Sequence, residues 1–331
     1  MALTLDAGTL EGLRQQADAR LRARGGVGVA SLDADALTRR NRRSVRAGAP
    51  VTARLVDGTP HSLWVKKVNH AAPELLDDVD ALVRRAHDRG DPTRIPRPWA
   101  YDPEAGLWLM DRVEGSRALP RFLLLAAGRR HRHLTDRVTQ CARWLAGFHA
   151  LTLEEQGTMA QTAAPILAAM HGGPYTAAEA SHADAIVSAV ADHPSPVARQ
   201  HNDFTLRNIL WGPRDHIAVV DWDALVHPAF PRVSDVWHDV GAFLVNVDSL
   251  TRYAPAVRWS LVDRLQAVFL DAYAEASGID PVTARVGALL ARLRLDLGLV
   301  ERDLAAIYSG RRGAAFVLAH RRRLLSGHRP Q

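Results

Sequence analysis

His201-Asn202-Asp203-Phe204-Thr205-Leu206-Arg207-Asn208, with Asp221-Trp222-Asp223 following thirteen residues after Asn208, is the stretch that decides how this chain folds and works. Between the two clusters, Ile209-Leu210-Trp211 and Ile217-Ala218-Val219-Val220 have the apolar runs of two short strands, and Gly212-Pro213-Arg214-Asp215 is the turn joining them. With the turn centred between Arg214 and Asp215, antiparallel pairing sets Asn208 opposite Asp221 at the open end of the hairpin. An amide oxygen and a carboxylate placed there are hard oxygen ligands suited to Mg²⁺, and Asp223 is a candidate second carboxylate contact. Asp203 precedes Asn208 by five residues and falls in the loop entering the hairpin. A carboxylate at that point can accept the proton of a substrate hydroxyl as a phosphoryl group arrives.

Phosphoryl transfer also needs a cation for the phosphates, and the composition points to one. Of 42 lysines and arginines only Lys66 and Lys67 are lysine. A chain that uses arginine wherever either cation serves keeps lysine where a compact ammonium is required and a planar guanidinium fails. Both lysines lie in Ser62-Leu63-Trp64-Val65-Lys66-Lys67-Val68, the return strand of a hairpin that begins at Val51 to Val56 and turns at Asp57-Gly58. Strand parity puts Trp64 and Lys66 on one face and Val65 and Lys67 on the other, so either pair could face the nucleotide.

Working outward, residues 3–24 read as an amphipathic helix closed by Gly25-Gly26. A helix begins at Pro73 and runs through Leu76, Val79 and Leu82, and a strand at Leu107 to Met110 leads into Asp111-Arg112-Val113-Glu114-Gly115. Beyond that point helices are expected near 118–127, 134–150, 160–171, 176–192, 235–248, 255–276, 283–306 and 312–325. The predicted architecture is therefore α+β and two-lobed. Residues 1–113 form a sheet-rich N-lobe and residues 114–331 a helical C-lobe.

These residues resemble those of the aminoglycoside phosphotransferase and choline kinase family of small-molecule kinases, which share the protein-kinase architecture. The likeness covers roughly residues 40 to 275. The family's catalytic loop is similar to His201-x-Asp203-x-x-x-x-Asn208, and its metal-binding aspartate follows a strand, as Asp221 does. Trp144-Leu145-Ala146-Gly147-Phe148-His149 is similar to the Leu-Ala-x-x-His stretch of the preceding helix, and Asp239-Val240-Gly241 resembles the family's Asp-Leu-Ala segment. The resemblance implies Asp203 as the base, His201 as the stabiliser of its loop and Asn208 and Asp221 as metal ligands; Arg207 is grouped with the catalytic residues. An aromatic two residues before the phosphate lysine stacks on adenine in related enzymes, which favours Lys66 with Trp64 over Lys67 with Val65.

Two departures from the family pattern stand out. The residue best placed to partner the lysine from the helix is Asp78, with Glu74 as the alternative, where the family has glutamate. No G-x-G-x-x-G precedes the second strand; Arg46 to Pro50, with Ser44 nearby, would be a reduced phosphate loop. Backbone contacts to adenine are expected from Met110, Asp111 and Val113.

Net charge is +6, with basic clusters at Arg129 to Arg132 and Arg321 to Arg323. No zinc-finger cysteine pattern or aromatic-rich sheet motif accompanies them, so they read as solvated helix faces and not as a nucleic-acid surface. No apolar run approaches the ~20 residues of a membrane span, and the N-terminus lacks an apolar signal core, so a cytoplasmic location is expected. The lone Cys141 sits in the helix stripe Leu134, Val138, Cys141, Leu145, Phe148 and reads as core. The implied cofactors are ATP and Mg²⁺. The implied acceptor is a hydroxyl-bearing small molecule or a peptide, and a nucleotide-binding interaction module without activity is the remaining class. A basic chain favours a neutral or acidic acceptor over a polycation. Tyr253, Asp271, Tyr273 and Glu301 are candidates for its pocket.

Overall fold

The computed structural model describes residues 5–34, 48–68, 73–88, 95–128, 131–172, 176–212, 216–222, 232–253, 257–292 and 294. They divide into two compact units: Met1–Ala118 with Arg207–Arg232, and Leu119–Leu206 with Val233–Gln331.

The first unit is built on an antiparallel sheet of order β1-β2-β3-β5-β4, formed by Val29–Ala34, Gly48–Leu55, Pro60–Lys67, Leu107–Asp111 and Pro98–Asp102. The hairpin β2–β3 turns at Asp57-Gly58, where Gly58 takes a φ of 84° that a side chain would resist. Alternate residues Val51, Ala53, Leu63, Val65, Leu107 and Leu109 bury one face, against Leu13 and Ala17 of helix α1 (Ala7–Ala23). Each fully buried Leu or Val side chain stabilises by roughly 1.5–3 kcal/mol. Asp6 caps α1 by accepting the Thr9 amide at 2.7 Å. Helix α2 (Pro73–Asp88) is tied to α1 through Asp77 to Arg20 and to the residue ending α1 through Asp80 to Arg24, both at 2.8 Å. A small sheet, β10-β9-β6, adds Ile217–Val219, Ile209–Trp211 and Ser116–Arg117 to this unit.

The hairpin β9–β10 has a different register from the expected one. Val219 pairs with Ile209, and the Val220 amide donates to the Asn208 carbonyl at 2.9 Å. Asn208 therefore lies across from Val220 and not from Asp221. The cause is the turn: Gly212 N donates to His216 O, which leaves three residues between the closing pair where a turn centred between Arg214 and Asp215 leaves an even number. Similarly, Gly48 to Pro50, expected in a phosphate loop, already belong to β2 and pair with Lys66, Val65 and Trp64.

The second unit, from Leu119 on, holds helices α3 (Ala118–Ala127), α4 (His131–Thr152), α5 (Met159–Gly172), α6 (Ala177–Val190), α7 (Trp237–Asp248), α8 (Leu250–Tyr253) and α9 (Trp259–Ser277), with a sheet of order β11-β8-β7 that packs on α4 and α5. Its strands are Val233–Asp235, Pro194–Arg199 and Leu153–Thr158. The core is aromatic: Phe243 stacks on Phe269 at 4.2 Å, and Phe269 on Tyr273 at 6.3 Å. A helix over 281–292 follows. Its Arg292 donates to the buried Asp248 of α7 at 2.7 Å, and Gln266 of α9 bridges the same carboxylate at 2.8 Å. Gly287 of that helix lies against the indole of Trp237, where a Cβ would come within 2.2 Å of the ring. The last expected helix, 312–325, lies outside the described residues. Among the described residues no helix is long and apolar enough to cross a membrane.

Candidate active site

The loop carrying Asp203 is positioned by a carboxylate 36 residues further along the chain. Asp239, on the first turn of α7 and without solvent exposure, accepts the amides of His201 at 2.6 Å and Asn202 at 2.8 Å. Asn202 has a φ of 65°, a left-handed conformation that asparagine tolerates better than most residues. The two charge-assisted bonds hold it there. Behind Asp239 stands His149 of α4, its Nε2 at 3.5 Å from Oδ2 and its Nδ1 at 2.8 Å from the hydroxyl of Tyr273. Burial pushes the Asp239 carboxyl up, but the His149 contact and the charges of His149, His201 and His238 outweigh it and hold the pKa below the usual aspartate value. Burial pushes the Tyr273 hydroxyl up, reinforced by the Asp239 charge, so it stays protonated.

Side chains complete the anchoring. Phe204 stacks on Trp144 at 5.6 Å and contacts Phe243, and the buried His201 ring meets Phe204 edge-on. Asn246 accepts the Leu206 amide at 3.0 Å, and Leu206 accepts from Leu119. The Asp203 amide donates to His201 Nδ1 at 3.3 Å, and its carbonyl accepts from Thr205 at 2.8 Å. The Asp203 side chain itself is half-buried, and Arg207 is exposed.

In the first unit, Lys66 and Asp221 meet. Both are partly shielded, with 11% and 18% of their side-chain surfaces exposed, and Lys66 Nζ pairs directly with Asp221 Oδ1. Lys67, on the opposite parity, is exposed. Asp221 has a φ of 78°, so the chain bends sharply as it leaves β10. Asn208 is buried. Trp64 is half-buried and leans over Gly48, where a Cβ would come within 2.7 Å of its indole nitrogen. Asp78 pairs with Arg232 at 3.6 Å. Met110 lies opposite Trp64 in the sheet. The Asp111 carboxylate accepts the Trp99 indole at 2.7 Å and the Arg97 amide at 3.1 Å. Its amide is bonded to Arg97 O, and that of Arg112 to Ser62 O, while Val113 is half-buried. Ser44 and Asp223 lie outside the described residues, as do Glu301 and the side chains of Glu74 and Tyr253.

In the sequence Asp239 stands out only through its likeness to a family segment, not as the clamp of the 201–208 loop. Nothing in a sequence says which amides a distant carboxylate reaches. Tyr273, considered for the acceptor pocket, is fully buried against His149, and Asp271 is paired with Arg285 at 3.3 Å.

The model of the phosphotransferase enzyme family, APH, matches residues 43–295. The chain belongs to that family of kinase-like enzymes, and it is a phosphotransferase. Among solved structures it is similar to the macrolide 2'-phosphotransferase MphH of Brachybacterium faecium, at 18% identity over 96% of this chain and 100% of that one, with a TM-score of 0.47. It is also similar to the choline kinase LicA of Streptococcus pneumoniae, at 15% identity over 90% and 93%, TM-score 0.44. A third is the gentamicin complex of APH(2")-IIa, at 14% identity over 96% and 97%, TM-score 0.45. No curated protein sequence matches the chain.

Proposed function

We propose that this phosphotransferase moves the γ-phosphate of ATP to a hydroxyl of a small molecule, with Asp203 as the base. The observation that carries the reading is the pairing of Lys66 with Asp221. One of only two lysines in the chain is partly shielded on a strand face and turned to the carboxylate that follows β10. Lys66 would bind phosphate oxygens, and the half-buried Trp64 on the same face would stack on adenine. Val113 would offer backbone contacts to the base, since the amides of Asp111 and Arg112 are already bonded.

The donor set of Asn208 and Asp221 fits Mg²⁺, which takes one or two carboxylates and completes its shell with phosphate oxygens and water. When bound, the ion neutralises charge on the phosphates. Asp203, on a loop whose backbone is held by Asp239, accepts the proton of the acceptor hydroxyl without reorganising. With a net charge of +6 the acceptor would be neutral or acidic.

The test is incubation of the protein with Mg-ATP and separate panels of neutral, acidic and polycationic hydroxyl compounds and of Ser/Thr peptides, read by ADP release and product mass. Phosphorylation of a neutral or acidic small molecule, lost in Asp203→Asn, is the expected result. Absence of any phosphorylated product would overturn the activity. Fastest turnover of a polycation would overturn the charge argument, and exclusive turnover of peptides would overturn the acceptor class.

A further inference from the structure

Within the second unit, a cavity of about 340 Å³ opens beside the C-terminal ends of α4 and α9 and contains none of the residues of the 201–208 motif. Its walls are apolar and small: Ala146 and Ala150 from α4, Ala276 from α9, and the rings of Pro194 and Pro196 from β8. Alanines on both helices keep the space open. Gly278, at a left-handed φ of 70°, ends α9 and turns the chain into Ile279 and Asp280, which join the lining. The polar groups in the lining are His149 and Tyr273, joined by their 2.8 Å hydrogen bond, together with Gln156, Ser277 and Asp280.

The charge inventory is one-sided. Among the described residues no lysine or arginine lines the cavity. Asp280 accepts the Thr283 amide at 2.8 Å, and that bond holds its carboxyl below the usual range, so it is ionised at neutral pH. An anion would meet a carboxylate and no cation. An amine would meet Asp280, and a ring would meet proline and alanine. The volume falls at the small end of the ~300–1,000 Å³ typical of small-molecule pockets.

We propose that this cavity is a second ligand site, apart from the phosphotransfer residues, for a small molecule with an aromatic or alicyclic body and a cationic amine. It does not depend on which acceptor the enzyme phosphorylates. The His149–Tyr273 pair that stands behind Asp239 is a buried part of its lining, so the cavity adjoins the residues backing the 201–208 loop.

Phenethylamine and its anionic counterpart phenylacetate are suitable probes, measured by saturation-transfer NMR and calorimetry on the full chain in saturating ATP. Phenethylamine should bind with a Kd below about 1 mM, and phenylacetate about two- to fivefold more weakly, the difference one ion pair makes at an exposed carboxylate. Ala150→Trp and Ala276→Trp, both at exposed lining positions, should abolish binding without changing Tm by more than a few degrees. Asp203→Asn should bind phenethylamine as the parent does. No binding, equal binding of the two probes, binding unchanged in both filled variants, or displacement by ATP would each overturn the proposal.

Discussion

At His201 and Asn202 the backbone is held by a carboxylate with no solvent exposure, itself backed by His149 and Tyr273. At Asp221 a carboxylate that keeps 18% of its side-chain surface exposed meets Lys66. In the first case, moving any member strands a buried donor or acceptor, at roughly 1–3 kcal/mol per neutral group and more for a charge. In the second, phosphate and metal can replace each partner with another of the right sign, and water reaches both. The comparison teaches that one chain can hold the loop of the proposed base rigidly while the residues proposed for phosphate and metal remain exchangeable.

The comparison can be broken most directly at the proposed base. Asp203→Asn should lower kcat by ~10²–10⁴-fold, the range for a lost general base, while the urea midpoint stays where it was. A matching loss of stability would show that Asp203 is part of the buried scaffold. Asp239→Ala should do the reverse of that pattern, costing about 3–5 kcal/mol of folding stability because two buried amides and a histidine lose their acceptor. Its pH dependence sharpens the point. The folded pKa of Asp239 lies below the unfolded one, so its contribution is complete above an unfolded value of about 4 and is lost as pH falls through the folded value. The stability gap between parent and Asp239→Asn, followed by denaturation at stepped pH, should therefore shrink only on acidification below that value.

The exchangeable side calls for a kinetic readout. Lys66→Arg should reduce kcat/KM for ATP by about 10²-fold, the scale for a lost charge-stabilising donor, with little change in Tm, whereas the exposed Lys67 should tolerate arginine within about twofold. Equal tolerance at the two positions would remove the argument from lysine scarcity. The smallest expected effect lies furthest from the loop. Tyr273→Phe removes one buried hydrogen bond to His149 and should cost about 1 kcal/mol of stability, read from the shift in denaturant midpoint at constant slope.

What was legible beforehand follows the same physics. The β2–β3 hairpin was readable because Asp57-Gly58 marks a tight turn and the flanking residues alternate between faces. The strand pairs of the second unit were not. β7 is Leu153 to Thr158, with hardly a buried side chain and so no alternation, and β8 contains Pro194 and Pro196, residues that argue against a strand. β4 follows Pro96 and begins at Pro98, and it is buried nearly throughout, which erases the period-two signal. In the motif, the residues were visible and their register was not. A hairpin's pairing depends on how many residues its turn leaves unpaired, and Gly212 bonding to His216 moved Asn208 one place along. The buried Asp248–Arg292–Gln266 cluster went unread for a related reason: its members sit 18 to 44 positions apart on separate helices.

Trp237 and Gly287 carry a consequence for how this chain can vary through descent. A glycine inside a helix costs about 1 kcal/mol relative to alanine, so drift alone would be expected to replace it. Even a methyl group there would collide with the indole at 2.2 Å, and the indole is held in place by its own Nε1, which donates to Ser195 Oγ at 2.9 Å. The two positions are therefore a lineage-level pair. The tryptophan must shrink before the glycine can grow, and a sequence that has lost the ring is free to regain a better helix former opposite it.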